Sequence, residues 1–372
     1  MHTLTLAHSP DPDDAFMWWP LTGKVDAQRP SRVVEPARLD TGRFRFVAVP
    51  ADIEKLNRAA IRASTGASGE PGTGTTEPGS ASGAMPTDVP EGGYDITALS
   101  FRAAIAARGW YRLTRCGSSF GDGYGPKVVA RPALLPALGR ELQLSLADAE
   151  VHCQNCLRDP EVVIAVPGFN TTAFLLLSLA LGPKARATPN KFVETPFEQV
   201  IPAVARGWWN TGEPGTTAGV RPVHAGLVIH EAQVTFERAG LRLVLDTGAW
   251  WKQKTGLPLP LGANAVRRDL DERCGAGATA EVAALLRRSI EYALAHREEA
   301  LEYTRPFALA NVERSGHAEE APTLERIDRY VGMYVNRWTL DLGDDGLAAL
   351  QRLCEEGAAA GLMPPVEALD PV

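Results

Sequence analysis

His230 and Glu231 directly follow the apolar run Ala225-Gly226-Leu227-Val228-Ile229, which reads as a buried strand. Histidine titrates near neutral pH, so at a strand end over a crevice it can accept a proton from a substrate carbon or hydroxyl. The same two residues also make an ordinary hydrogen-bonded structural pair. A zinc helix of the H-E-x-x-H type needs a second histidine three residues after the glutamate, and Val234 stands there. In Val166-Pro167-Gly168-Phe169-Asn170-Thr171-Thr172-Ala173 a strand turns into a helix. Free first-turn N–H groups, the helix dipole and two hydroxyls there make a cradle for a carboxylate or phosphate. Thr171 equally suits simple helix capping. The stretch holds no lysine and lacks G-x-G-x-x-G spacing, so it does not indicate a nucleotide.

Ser9-Pro10-Asp11-Pro12-Asp13-Asp14 sits between the alternating Leu4 and Leu6 and the apolar Phe16, Met17, Trp18 and Trp19. That places Ser9 at a strand end and helix start, where open α/β sheets bind ligands, although Ser or Asp also serves there as a plain cap. Cys153-Gln154-Asn155-Cys156 beside His152 is a single C-x-x-C, half of what a structural zinc site needs. Gly-x-Ser-x-Gly is absent, so no serine is set up for acyl transfer.

The elements that position these residues follow from hydrophobic pattern. Short apolar runs at 128–130, 162–166, 225–229 and 241–245 read as buried strands, 172–181 and 196–206 as helices between them, and 52–62 as a helix ahead of a further short apolar run at 94–99. Strands alternating with helices imply βαβ units and a mostly parallel sheet, an α/β fold. The last third is helical: Val282, Leu285, Leu286, Ile290, Ala293 and Leu294 form one stripe behind Thr279 as N-cap. Leu324, Ile327, Val331, Tyr334, Val335 and Trp338 form a second, and Leu347, Leu350, Leu353 and Cys354 a third, with Gly361 as a stop. Residues 63–93 are rich in Gly, Ser, Thr and Pro and nearly devoid of large apolar side chains, so a disordered surface insertion is expected there. Residues 28–43 and 210–222 read as smaller interruptions.

At 372 residues the chain is long enough for two lobes, and its composition, 45% hydrophobic and 22% charged, is that of a globular protein. A net charge of −7 without any Lys/Arg block argues against nucleic acid as a partner. The longest apolar run, 173–181, falls far short of the roughly 20 residues that span a bilayer, so no membrane partner is expected. Five scattered cysteines fit a reducing compartment, and Asp11, Asp13 and Asp14 break the pattern a secretion leader would need. A cytoplasmic location is therefore expected.

Several blocks in order carry a family resemblance: Ser9-Pro10-x-Pro12-x-Asp14-x-Phe16, Ala165 to Gly168 with Thr171 to Leu176, and Gly226 to Glu231. They continue with Asp246-Thr247-Gly248-Ala249-Trp250-Trp251, Thr255 to Gly262, Ser289 to His296, and Tyr334-Val335-Asn336. Together they resemble the 1,4-dihydroxy-6-naphthoate synthase family of the futalosine route to menaquinone. The resemblance implies the two-lobed, type II periplasmic-binding-protein-like fold, with 1–127 and 263–372 forming lobe 1, 128–262 lobe 2, and the chain crossing the hinge twice. It implies a lyase without metal or organic cofactor, acting on cyclic dehypoxanthine futalosine. His230 would take the proton, and carbon–carbon cleavage would release the aromatic product and a sugar-derived fragment. A small aromatic carboxylate is the implied partner, held by Thr171, Thr172 and Ala173, with Ala98, Leu99 and Ser100 matching a substrate-contacting segment and Ser9 and Asp14 at the N-terminal block. The sister activity, chorismate dehydration, and a plain carboxylate-binding protein are the alternatives. The chain departs from the family pattern at Asp13 and Ala15, at Phe169 and Asn170, and at Ala98, where a polar residue is expected. Segments 63–93, 139–159 and 210–222 are unusual for the family.

Overall fold

In a computed structural model, residues 1–29, 31–66, 90, 92–132, 155–212, 219–315 and 322–372 are described. Leu4 and Leu6, alternating with threonines, are buried in β1 (His2–His8), an interior strand of a first sheet. Pro12 opens α1 (Pro12–Thr22), where its missing N–H costs nothing, and Phe16, Trp18 and Trp19 are buried along it. After the small hairpin β2 (Lys24–Val25) and β3 (Val33–Glu35) come β4 (Phe44–Pro50), α2 (Ile53–Thr65), β5 (Ile96–Ser100) and α3 (Phe101–Ala106). Short strands β6 (Tyr111–Leu113) and β7 (Ser119–Gly121) complete this part of the chain.

The second sheet is built from β8 (Lys127–Ala130), β9 (Ile164–Val166), β10 (Phe192–Glu194), β13 (Ala225–Val228) and β14 (Arg242–Asp246). Between them run α4 (Thr172–Leu181), α5 (Pro183–Ala187), α6 (Val200–Arg206), the pair β11 (Trp208–Asn210) and β12 (Val220–Pro222), and α7 (Ala232–Thr235). After α8 (Thr247–Thr255), β15 (Leu259–Arg267) returns to the first sheet. Helices α9 (Leu270–Cys274), α10 (Ala278–Ala295), α11 (Arg297–Ser315), α12 (Leu324–Tyr334), α13 (Arg337–Leu340) and α14 (Gly343–Ala359) follow.

The strand orders are β4-β1-β5-β15-β6, with β7 beside β15, and β10-β9-β13-β8-β14. Strands joined by helices run parallel, as alternation dictates: β1 with β4 and β5, and β9 with β10 and β13. The expectation of mostly parallel sheets needs correction at β8 and β15, which run antiparallel to their neighbours. These are the strands on which the chain enters the second sheet and comes back, so neither is bound by the handedness of a βαβ crossover. The second sheet is buried on both faces, by Leu177 and Ile164 on one side and Val200, Val204 and Val129 on the other. Burying a side chain of this size contributes about 1.5–3 kcal/mol, which favours continuous apolar runs in such strands.

Local differences have simple causes. Helix α10 starts behind Gly277 rather than Thr279, whose N–H is instead accepted by Asp271 at 2.7 Å. The predicted helix over 196–206 opens as a 3-10 turn, Phe197–Gln199, before α6. Helix α2 runs to Thr65, into the polar segment, because its N-cap Asp52 accepts from the N–H groups of Glu54 and Lys55 and Gly66 closes it in the left-handed conformation. The ends of 210–222 pair as strands, Asn210 opposite Val220. Residues 67–89, 133–154 and 213–218, with Cys153, lie outside the described residues. Among the described residues no helix is long and apolar enough to cross a membrane.

Candidate active site

His230 stands two residues beyond β13 with φ of 52°, one of two non-glycine residues with positive φ among those described. That conformation is sparsely populated and persists only where surroundings enforce it. Phe197 meets the imidazole edge-on at 4.8 Å, and Nδ1 lies 2.7 Å from Asp11 Oδ2. In the neutral imidazole Nδ1–H donates to that carboxylate and leaves the lone pair on Nε2, which is buried without a partner, and the residue lines a cleft between the two sheets.

Asp11 comes from the first sheet, in the turn between β1 and α1, and is fully buried. It occupies the N-cap position yet caps nothing: its carboxylate accepts from Ser9 Oγ, from Asn311 Nδ2 at 3.1 Å and from His230. Asn311 also donates to Glu231 at 2.9 Å, and Arg314 donates to Asn311. Asp14 accepts from the Ser9 N–H at 2.8 Å and from Trp18 Nε1, and Asp13 from the Tyr330 hydroxyl at 3.2 Å. Four carboxyls thus gather around one imidazole. Burial disfavours the charged imidazole, but the charge and hydrogen bond of Asp11, with Glu231 and Asp13, outweigh it and lift His230 to about 10. Burial pushes Asp11 up, and His230 more than reverses this, holding its carboxyl below the usual range. Burial, reinforced by neighbouring carboxylates, raises Asp13, Asp14 and Glu231 to about 7 each. The outcome is a strongly basic imidazole that holds its proton near neutrality and accepts one from a ligand only after losing its own, beside acids that are half-protonated there.

The second strand-to-helix turn of the cleft behaves differently. Thr171 caps α4 by accepting from the Phe174 N–H at 3.1 Å. The helix offers no acceptor to the N–H groups of Thr172 and Ala173, and both residues line the cleft. The Asn170 end of the expected cradle is already taken: Glu54 on α2 accepts from the Asn170 N–H and from Asn170 Nδ2 at 2.7 Å. Any side chain at 168 would collide with Glu54, 2.5 Å from an added Cβ, so Gly168 permits this contact between α2 and the turn before α4. Burial raises the Glu54 carboxyl to about 7. Ser100 at the end of β5 is oriented by Asn57, whose Oδ1 accepts its N–H at 3.0 Å.

The cleft encloses about 820 Å³ of space not filled by protein atoms, its opening to solvent included. Ser9, Asp14, Ala98, Leu99, Ser100, Thr171, Thr172, Ala173 and His230 all border it. Ala15 does not; it packs with Val25, Ala48 and Phe307. Phe169 is turned onto Phe174, and Asn170 onto Glu54, so these two departures lie away from the cleft lining. Sequence reasoning missed Asp11 as the partner of His230, and missed Ser118, Gln233, Asn264 and Tyr334 in the lining. The Asp-rich turn was a signal for the first; the others are single polar residues in unremarkable contexts. Among the described residues no cluster of three or more His, Cys, Asp or Glu side chains is arranged to hold a metal ion.

Comparison with known proteins agrees with this architecture. Residues 85–359 match the family model described as menaquinone biosynthesis. The chain is 35% identical to a 1,4-dihydroxy-6-naphthoate synthase of Thermus thermophilus, over 98% of this chain and 97% of that one. It is 30% identical to the Streptomyces coelicolor enzyme of the same name, over 97% and 95%. Among solved structures, a protein of Archaeoglobus fulgidus aligns with a TM-score of 0.64 at 32% identity, covering 97% of this chain and 99% of the other. The alkanesulfonate-binding protein of Xanthomonas axonopodis aligns at 0.53 with 11% identity, covering 98% and 95%, a likeness of fold alone. With two α/β sheets meeting at a cleft as in periplasmic binding proteins, and with relatives matched along almost its whole length, the chain belongs to the menaquinone biosynthesis family.

Proposed function

We propose that the protein is a lyase that forms 1,4-dihydroxy-6-naphthoate from cyclic dehypoxanthine futalosine. The observation that carries this reading is the His230–Asp11 pair: one imidazole nitrogen is fixed by a buried carboxylate and the other is unpartnered in the cleft. Nε2 takes a proton from the bound substrate, a carbon–carbon bond breaks, and the electron pair left behind completes the aromatic ring while the sugar-derived fragment departs. Aromatisation drives the step, and the carboxylates around His230 stabilise the imidazolium as it forms. The aryl carboxylate is held at the start of α4 by the Thr172 and Ala173 N–H groups, where the helix dipole favours an anion. The lobes assigned from sequence, 1–127 with 263–372 and 128–262, and a cytoplasmic setting accompany this reading.

The experiment is to incubate the protein with cyclic dehypoxanthine futalosine and follow 1,4-dihydroxy-6-naphthoate by mass spectrometry, with His230→Gln alongside. Product from the wild type and a loss of at least about 10³-fold in the variant is expected. Full activity in His230→Gln would remove that residue from the mechanism. Consumption of chorismate instead would move the protein to the sister activity, and tight binding of a carboxylate without turnover to a binding role.

A further inference from the structure

Three polar side chains in the cleft have an atom with nothing to bind in the folded protein. Ser118 Oγ, Gln233 Oε1 and Asn264 Oδ1 are buried without a hydrogen-bond partner, and all three residues line the cleft together with His230. The residues are almost wholly enclosed, 1%, 4% and 1% exposed. Unpaired buried polar atoms are costly and rare, so three around one cavity describe a ligand's partners rather than an accident of packing.

The orientation of Asn264 is set by its own surroundings. Its Nδ2 donates to the Gly117 carbonyl at 3.0 Å, an oxygen that can only accept, so Oδ1 is the atom left for the cavity. Gly117 has φ of +77°, and a Cβ there would come within 2.3 Å of Asn264 Nδ2. A glycine at that point lets the chain seat this amide. Asn264 lies on β15 directly opposite Ala98 on β5, a position that offers no polar side-chain atom. Gln233 lies on α7, three residues after His230, and its Nε2 donates to the Tyr334 hydroxyl at 2.7 Å.

Two amide oxygens accept and cannot donate, while the serine hydroxyl can do either. Such a set selects a ligand that presents hydroxyl groups and disfavours a second carboxylate. We infer that Ser118, Gln233 and Asn264 form a hydroxyl-recognising subsite that holds the sugar-derived part of the substrate, with Asn264 the specificity determinant. This rests on the proposed lyase reading, in which the substrate carries that hydroxyl-bearing part and the aromatic product has lost it.

Ser118→Ala removes an oxygen that bonds to no protein group, so the variant folds with an unchanged or higher Tm. Dissociation constants for cyclic dehypoxanthine futalosine and for 1,4-dihydroxy-6-naphthoate are measured by calorimetry in the His230→Gln background, with and without Ser118→Ala or Asn264→Ala. Substrate affinity is expected to fall about 5-fold for Ser118→Ala and about 10-fold or more for Asn264→Ala, with product affinity constant within about twofold. An unchanged substrate affinity in the correctly folded Ser118→Ala protein overturns the subsite, as does an equal loss for product. Absence of turnover in the otherwise wild-type protein overturns the lyase reading and the subsite with it. A failure of the subsite alone is recognised because the wild type then turns over and Ser118→Ala matches its affinity.

Discussion

Two strand-to-helix turns line the cleft, one from each sheet, and they treat the same position in opposite ways. At the start of α4, the Thr171 hydroxyl oxygen accepts from the Phe174 N–H, so the helix is capped and the N–H groups of Thr172 and Ala173 are left for an outside anion. At the start of α1, Asp11 occupies the capping position with extended backbone but turns its carboxylate away from the helix, to His230. Pro12 has no N–H to satisfy, and Asp14 reaches back to the Ser9 N–H, so the loss of that cap is cushioned locally. One turn stays electropositive and suits an anion; the other concentrates carboxylates and suits a proton. A cap that breaks the ordinary rule, with its side chain diverted across the cleft, marks the chemistry more clearly than one that obeys it.

The contrast can be broken most forcefully at Asp11. Asp11→Asn removes the charge that holds His230 in one tautomer, and activity is expected to fall about 10²- to 10⁴-fold. Once that charge is gone, burial dominates and the pKa of His230 drops. His230 must be unprotonated to act, so the wild-type kcat/KM climbs with pH toward about 10, and in the variant the rise moves to lower pH. A pH–rate profile with the same rising limb in both proteins would separate Asp11 from the base. At the other turn, Thr172→Pro removes one of the two N–H groups at the first helical position, which accepts proline, and should raise KM roughly tenfold with kcat within about twofold, because no proton moves there. An equal fall in kcat would erase the distinction between the turns.

Smaller effects sharpen the comparison through stability. Thr171→Ala removes a working cap and should cost about 1 kcal/mol in denaturant unfolding; the Asp11→Asn protein loses no cap bond and should show no loss of that origin. Asp13, Asp14 and Glu231 have folded values near 7, above their unfolded ones, so the folded protein holds more protons between roughly pH 4 and 7. Their contribution is therefore full at the acid end of that window and lost as pH rises through it. His230, raised to about 10, gives up its contribution above that window and with the same sign. The Tm of the wild type should fall from pH 5 to pH 8, and less steeply for Asp13→Asn; a slope unchanged by that substitution would remove Asp13 from the effect.

Much of the architecture was legible because each element carries its own pattern. Ile164 to Val166 and Thr172 to Leu181 are written as continuous apolar stretches and the stripe from Val282 to Ala293 in helical periodicity, which burial enforces residue by residue. The candidate base was legible too, since a histidine after an apolar strand is an exception to the composition around it. Ser118, Gln233 and Asn264 were not, because a lone serine or amide has no local pattern. Gln233 meets Tyr334 across 101 positions of chain, and Asn264 meets Gly117 across 147.

By itself the sequence determined the kinds of element, their order, the acidic and hydroxyl-bearing turns, and membership of an α/β class with one candidate for proton chemistry. Only the tertiary structure decided that Asp11 serves His230, that Glu54 fills the Asn170 end of the anion cradle, and that β8 and β15 oppose their neighbours. The reason is physical. Helix and strand formation is governed by side chains a few positions apart, whereas a carboxylate's partner, its pKa and its freedom to face a cleft depend on groups that only chain crossing brings within hydrogen-bond distance.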